Sequence, residues 1–246
     1  MSDSALGPAF SATELLITVI SGLLRGARHV AVGAASPIPG SAALLARAQS
    51  NGATRVSILG SQRHNTFTDG GVELFDLAAQ GRIDAFFLGG GQIDGQGNIN
   101  LVGSGNYPAM DIRWPGSFGS AYIYFLIPRV ILFREEHTRR VMVPKVDFIS
   151  APGGSDAGLY RPGGPYAMVT SLGLFKFDRE RRCFVLTSVH PGHTVEEIHD
   201  NTGFEFDSPA RCPLTAAPDA SQLELIRSLV RREVSEVYPQ FAARLL

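Results

Sequence analysis

The sequence predicts an α/β protein in which helices wrap a largely parallel sheet. Two observations carry that reading. In the first half, segments with helical apolar spacing alternate with short, continuously apolar segments, the pattern of strands buried on both faces. A hydrophobic content of 44% against 18% charged residues, over 246 residues, suffices for one sizeable core, so the whole chain, 1–246, reads as a single domain.

Taken in order, Ser11-x-x-Glu14 is a capping-box pattern that opens a helix. Leu15, Leu16, Val19, Ile20, Leu23 and Leu24 follow at helical spacing, and Gly26 is a stop. His29–Val32 reads as a buried strand, 33–40 as a loop of small residues, and 41–49 as a helix with Leu44, Leu45 and Ala48 inward. Val56–Leu59 is the next strand, 60–71 a polar loop, 72–80 a short helix, and Asp84–Leu88 a strand running into Gly89, Gly90 and Gly91. Further on, Tyr122–Phe133 and Val141–Ile149 read as strands. Tyr166–Phe177 and Cys183–Ser188 read as a hairpin with 178–182 as its charged tip. Thr194, with Glu197 three residues on, opens a short helix to Asn201, and 213–218 is a linker. Leu225, Ile226, Leu229, Val230, Val234 and Val237 mark an amphipathic C-terminal helix.

The net charge of -1 supplies no basic field for nucleic acid or anionic lipid, so any anionic ligand must be held locally. The two cysteines, Cys183 and Cys212, lie in no metal or redox spacing and form no disulfide framework. Met1 to Pro8 lacks the basic start of a signal peptide. The apolar stretches Leu15–Leu24 and Pro115–Pro128 fall short of the roughly 18–20 residues of a membrane span. A soluble cytoplasmic protein with no nucleic-acid or membrane partner is expected.

Three segments could carry chemistry. Gly89–Asn100 combines Gly89, Gly90 and Gly91, which let a ligand approach the backbone, with Gln92, Asp94, Asn98 and Asn100, polar groups able to bind a carbonyl or thioester oxygen. The same composition also suits a tight turn between buried strands. The loop with Ser117, Gly119 and Ser120, and the loop with Gly33 and Ser36 that leads into a helix, are candidate anion cradles. Neither matches a Walker loop or a dinucleotide fingerprint. His190, His193, Glu196, Glu197 and His199 fit no zinc spacing, and no metal is expected.

These segments, with others in the same order, resemble the β subunits of family I coenzyme A transferases of the glutaconate type. Gly33 to Ala46 is similar to the family's G-x-G-x-P segment and alanine-rich helix. Gly89–Asn100 is similar to its Gly-Gly-Ala-Gln-Ile-Asp…Gly-Asn-x-Asn stretch. Arg139-Arg140-Val141, Lys145–Ile149 and Pro152-Gly153 resemble its RRF…KVDFITSPG run, and Gly163–Phe177, Val189–Gly192 and Asn201–Phe204 also correspond. The likeness spans about residues 28–236.

The resemblance implies a three-layer fold of the NagB/RpiA/CoA transferase type. It also implies an α-type partner subunit in a heterodimer or α2β2 assembly, coenzyme A as part of the acyl-CoA substrate, and a site at the subunit interface. It further implies a β-subunit glutamate that attacks the acyl-CoA and carries an anhydride, then a thioester. That glutamate ends the second strand in the family. Here the corresponding position holds Leu59, with Gly60 the alternative, and no glutamate occurs between Gly60 and Gly71. Related CoA-dependent hydrolases that cleave a ring carbon–carbon bond in steroid breakdown lack this acid and use one from the α subunit. Hydrolysis of that kind is the first expectation here. Ordinary CoA transfer, with Ser61, His64 or Asp69 substituting, and a non-catalytic thioester-binding scaffold are the alternatives. Gln92 is expected to polarise the thioester with Asp94 in support. Gly33, Ser36, Gly89, Gly90, Gly91, Asn98, Asn100, Ser117, Gly119 and Ser120 are expected to line or brace the CoA site.

Overall fold

The computed structural model describes residues 10–245; the reading of Met1 to Pro8 lies outside them. Seven strands form one sheet: β1 (His29–Val32), β2 (Arg55–Ile58), β3 (Ala85–Leu88) and, past two two-stranded ribbons, β8 (Arg129–Arg134), β9 (Pro165–Thr170), β10 (Gly173–Asp178) and β11 (Cys183–Val189). The ribbons pair β4 (Gln92–Ile93) with β5 (Ile99–Asn100) and β6 (Gly103–Ser104) with β7 (Ile112–Arg113). Across the sheet the order is β11-β10-β9-β8-β3-β1-β2. The strands from β2 to β9 run parallel, with Val32 beside Ile58, Leu88 beside Leu132, and Leu132 beside Met168. The strands β10 and β11 return antiparallel.

Alternation along each strand sends side chains to two separate cores. Val30, Val32, Ala85, Phe87, Ile131 and Val169 face one layer of helices. Ala31, Phe86, Val130, Leu132 and Met168 face the other layer. This gives three layers with both sheet faces covered, as the apolar strand pattern requires.

The first layer contains α1 (Ala12–Leu23), α2 (Pro37–Gln49) and the C-terminal run α6 (Ala220–Leu225), a π turn (Ile226–Val230), α7 (Arg231–Val234) and α8 (Pro239–Ala242). The reciprocal capping box of Ser11 and Glu14 opens α1. Ile226, Val230 and Val234 are fully buried along one stripe. The opposite layer holds α3 (Gly70–Ala79), α4 (Ser120–Leu126) and α5 (Val195–Asn201), the last opened by Thr194 accepting from the Glu197 amide.

Several boundaries differ from the sequence reading. Helix α2 starts at Pro37, not 41, because proline is compatible with the first helical turn, where its missing N–H is not needed. The first residues of the expected strand Tyr122–Phe133 instead belong to α4; a continuous apolar run does not separate helix from buried strand, and β8 begins only after Pro128. Val141–Ile149 is no strand. Met142 makes one bridge to Ile93, and Pro144 interrupts any ladder. Tyr166–Phe177 is two strands turned at Ser171 and Leu172, so the charged tip joins β10 to β11. No helix among the described residues is long and apolar enough to cross a membrane.

Candidate active site

From β1 the chain crosses by α2 on one face to β2, then returns by α3 on the other face to β3, which pairs with the opposite side of β1. This makes a switch point between β1 and β3, and ligands of open α/β sheets bind beyond the carboxyl ends at such a point. Two adjoining cavities lie there. One, of about 490 Å³, is walled by Gly33, Ser36, Gly89, Gly90, Gly91, Trp114, Gly116, Arg134 and Arg140 among others. The second, of about 460 Å³, shares Ser36, Gly89 and Arg134 and adds Pro37, Glu135 and Glu136.

The glycines of the β3 turn are required by packing within the protein. A Cβ on Gly91 would overlap the Trp114 ring, and one on Gly90 would press on Ile99 and Ile93 at 2.9 and 3.0 Å. The tight turn brings its backbone to the cavity wall. Ser36 stands at the foot of α2, its amide donating to Tyr238 Oη at 3.1 Å and its Oγ to the Ala34 carbonyl at 3.2 Å.

Gln92 is placed differently from the expectation. It is buried, its Nε2 donates to Asp147 Oδ2 at 3.0 Å, and its Oε1 accepts from Asn100 Nδ2 at 2.7 Å and from the Asp147 amide at 3.0 Å. Both ends of the amide are thus spent inside the loop, and Gln92 is on neither cavity wall. Asp94 accepts from the amides of Gln96 and Asn98 and from Asn98 Nδ2, and Asn98 Oδ1 accepts from the Gly153 amide. Asn100 Oδ1 accepts from the Val102 amide. These four side chains form two buried hydrogen-bonded pairs, Gln92 with Asn100 and Asp94 with Asn98, that shape the β4–β5 ribbon. Ser117, Gly119 and Ser120 also stand off the walls: Ser120 Oγ donates to the Ser117 carbonyl and Gly119 caps α4, while the neighbouring Gly116 does reach the cavity.

At the end of β2, the Leu59 amide donates to the Val32 carbonyl at 3.0 Å and the Leu59 side chain packs on the α3/α4 core. Gly60 is exposed with a left-handed φ of 90°. Of the proposed substitutes, Ser61 Oγ donates to Glu236 Oε2 at 2.6 Å, and buried His64 lies 3.7 Å from Glu233 and 3.3 Å from Arg47. Burial lowers the His64 pKa. Asp69 precedes α3 without a capping bond. Among the described residues no group of His, Cys, Asp or Glu could hold a metal ion.

The charged residues on the cavity walls escaped the sequence reading as site residues. Arg140 grips Glu136 with Nε and Nη2 at 2.6–3.2 Å, and Arg134 Nη2 reaches the same carboxylate at 3.4 Å. Arg140 chiefly, with Thr138, holds the Glu136 pKa below the ordinary value. The Arg134 side chain, 39% exposed, lines both cavities, while its Nε is itself buried and without a hydrogen-bond partner. A charged run, Arg134-Glu135-Glu136, at the carboxyl end of a buried strand was the available signal.

The family model of coenzyme A transferase matches residues 16–201, about three quarters of the chain. The chain belongs to the coenzyme A transferase family. Within that family it is 35% identical over 167 residues to a 3-oxoadipate CoA-transferase subunit of Pseudomonas knackmussii, a match covering 65% of this chain and 64% of that one. It is 32% identical over 173 residues to the cholesterol ring-cleaving hydrolase IpdB subunit of Rhodococcus jostii, covering 66% and 68%. The crystal structure of Rhodococcus jostii IpdAB superposes with a TM-score of 0.80 at 26% identity, over 92% of this chain and 99% of that one. The three-layer fold expected from the sequence is therefore shared with coenzyme A transferase relatives.

Proposed function

We propose that this chain is the β-type subunit of a two-chain enzyme acting on acyl-CoA thioesters, with the decisive carboxylate supplied by an α-type subunit, and that the reaction is hydrolytic cleavage of a ring-derived acyl group. What supports this reading is that the resemblance puts Leu59, or else Gly60, at the position of the family's glutamate, and that Leu59 packs its hydrocarbon into the core. A leucine offers no oxygen to receive an acyl group. The larger cavity has two arginines and no acid on its wall. Likeness to a ring-cleaving hydrolase subunit supports the choice of hydrolysis.

In this reading the thioester lies across the carboxyl ends of β1, β3 and β8. Arg134 and Arg140, through the exposed parts of their guanidinium groups, hold a carboxylate or carbonyl oxygen of the acyl group, while the β3 turn and Trp114 set the shape of the cavity. Glu136 positions both guanidinium groups. The pairs Gln92–Asn100 and Asp94–Asn98 keep the turn in place.

The test uses the reconstituted pair and ring-derived acyl-CoAs. Product should appear with water as the only co-substrate, and borohydride or hydroxylamine should modify no carboxylate of this chain. Arg134→Ala should lower kcat/KM by about 100-fold, the loss expected of a single charged donor at the reacting group. Acyl-CoA-dependent labelling of an acid in this chain, with CoA passed to an added carboxylic acid, would establish ordinary transfer instead.

A further inference from the structure

The loop from Gly33 to Ser36 walls both cavities, and one of its residues is strained. Ala35 has a φ of 54°, in the left-handed region. A residue with a Cβ is disfavoured there by roughly tenfold against its ordinary conformations, so contacts from elsewhere must hold it. Two bonds of the loop are local. Ser36 Oγ donates to the Ala34 carbonyl at 3.2 Å, and the Gly40 amide donates to the Ser36 carbonyl at 2.9 Å. A third reaches much further: the Ser36 amide donates at 3.1 Å to Tyr238 Oη, 202 residues along the chain. That amide belongs to the peptide plane leaving Ala35, so the bond acts directly on the strained residue.

Tyr238 is itself anchored. Its amide donates to the Val234 carbonyl at 2.8 Å, and Val234 is fully buried. Its ring lies against α2, where a Cβ on Gly40 would stand 3.5 Å from Cε2. Two residues earlier, Glu236 accepts from Ser61 Oγ at 2.6 Å and from the Gln62 amide at 2.7 Å, fastening the same run to the loop after β2. Burial raises the Tyr238 pKa, so the phenol stays neutral while it accepts the Ser36 bond. Tyr238 also borders a third cavity of about 600 Å³, which shares Pro37, Ile38 and Glu135 with the second. We infer that Tyr238 is a positioning residue: its hydroxyl holds the Ala35–Ser36 peptide so that the 33–36 loop keeps the shape in which it walls both cavities. This role rests on the function proposed above and extends the site beyond residues 16–201, the part matched by the family model.

Tyr238→Phe removes the hydroxyl and keeps the ring. One hydrogen bond is comparable in size with the penalty at Ala35, so without it the loop should leave its shape for most of the time. Bound substrate restores that shape. In the reconstituted pair, KM for the acyl-CoA should therefore rise about tenfold while kcat stays within about twofold of wild type. Glycine adopts left-handed backbone as readily as right-handed, so adding Ala35→Gly to the same chain should bring KM back to within about threefold of wild type. A hydroxyl that served only the stability of the fold would lower kcat per mole of protein at constant KM, and glycine at position 35 would not repair the loss. Either of those results overturns the proposal, as does an unchanged KM. Deuterium exchange of the Ser36 amide in the full chain gives a reading independent of turnover. It should be at least about fivefold faster in Tyr238→Phe, and equal exchange overturns the proposal whatever the kinetics. If the wild-type pair turns over no acyl-CoA, the function proposed above falls, and the exchange rate alone decides whether Tyr238 holds the loop.

Discussion

His137 and His190 are buried with hydroxyl partners: His137 lies between Thr170 and Thr202 at 2.8 and 2.9 Å, and His190 meets Thr215 at 2.8 Å. Burial lowers the pKa of each from 6.5 to about 4. Below pH 6.5 the unfolded chain takes up these protons while the folded chain does not until about pH 4, so stability falls with pH across that window. Each histidine should cost about 2 kcal/mol between pH 7.5 and 5. Urea midpoints should drop accordingly, and His137→Gln with His190→Gln should flatten the slope; an unchanged slope would assign the acid sensitivity elsewhere. At the same scale, Gln92→Ala strips partners from Asp147 and Asn100 and should cost about 1–3 kcal/mol, seen as a lower melting temperature of the free chain. The sequence marked Gln92, Asp94, Asn98 and Asn100 as one polar segment, with Gln92 expected on the ligand and the others bracing the loop, but not in which direction they point. A polar side chain serves a loop or a ligand with the same chemistry, and only its partners distinguish the two. Arg134 illustrates the converse, since a charge after a strand reads as ordinary surface until its orphaned Nε and the cavity are seen together.

Among elements, those with local punctuation were legible. The Ser11 and Glu14 box, the Thr194 cap and the strand β1 stand where the sequence placed them. Helix α4 and the segment 141–149 were not legible, because Tyr-Ile-Tyr-Phe-Leu and Val-Met-Val are apolar on all sides and tertiary packing decides their conformation. Glu14 has a second role: it is 2% exposed and accepts from Arg227 Nε at 2.6 Å and Nη2 at 3.1 Å, tying α1 to the C-terminal run. Burial alone would raise its pKa, but bonds from Arg227 and Ser11 outweigh that and lower it. Glu14→Ala removes one half of the capping box and the ion pair and should cost about 2–3 kcal/mol in urea unfolding. Gly91→Ala should displace the Trp114 ring, destabilise the β3 turn and weaken thioester binding, checked by titrating the reconstituted pair with acyl-CoA.

For the molecule as a whole, fold class followed from alternating helices and fully apolar strands, because parallel strands must be covered on both faces. The crevice at the carboxyl ends follows from the strand order β3-β1-β2, which only the structure gives. The shape of the cavity was not readable, because its wall is assembled from β1, β3, β8 and the Trp114 loop, segments far apart in sequence.

The clasp between Glu14 and Arg227 joins residues 213 positions apart. Synthesis on the ribosome is vectorial, so α1 emerges long before the segment that seals it. Until the segment 226–234 has emerged, Leu16, Ile17 and Ile20 have no cover from Ile226, Val230 and Val234. A stop codon before Leu225 should therefore yield an insoluble product even though every strand of the sheet has been made.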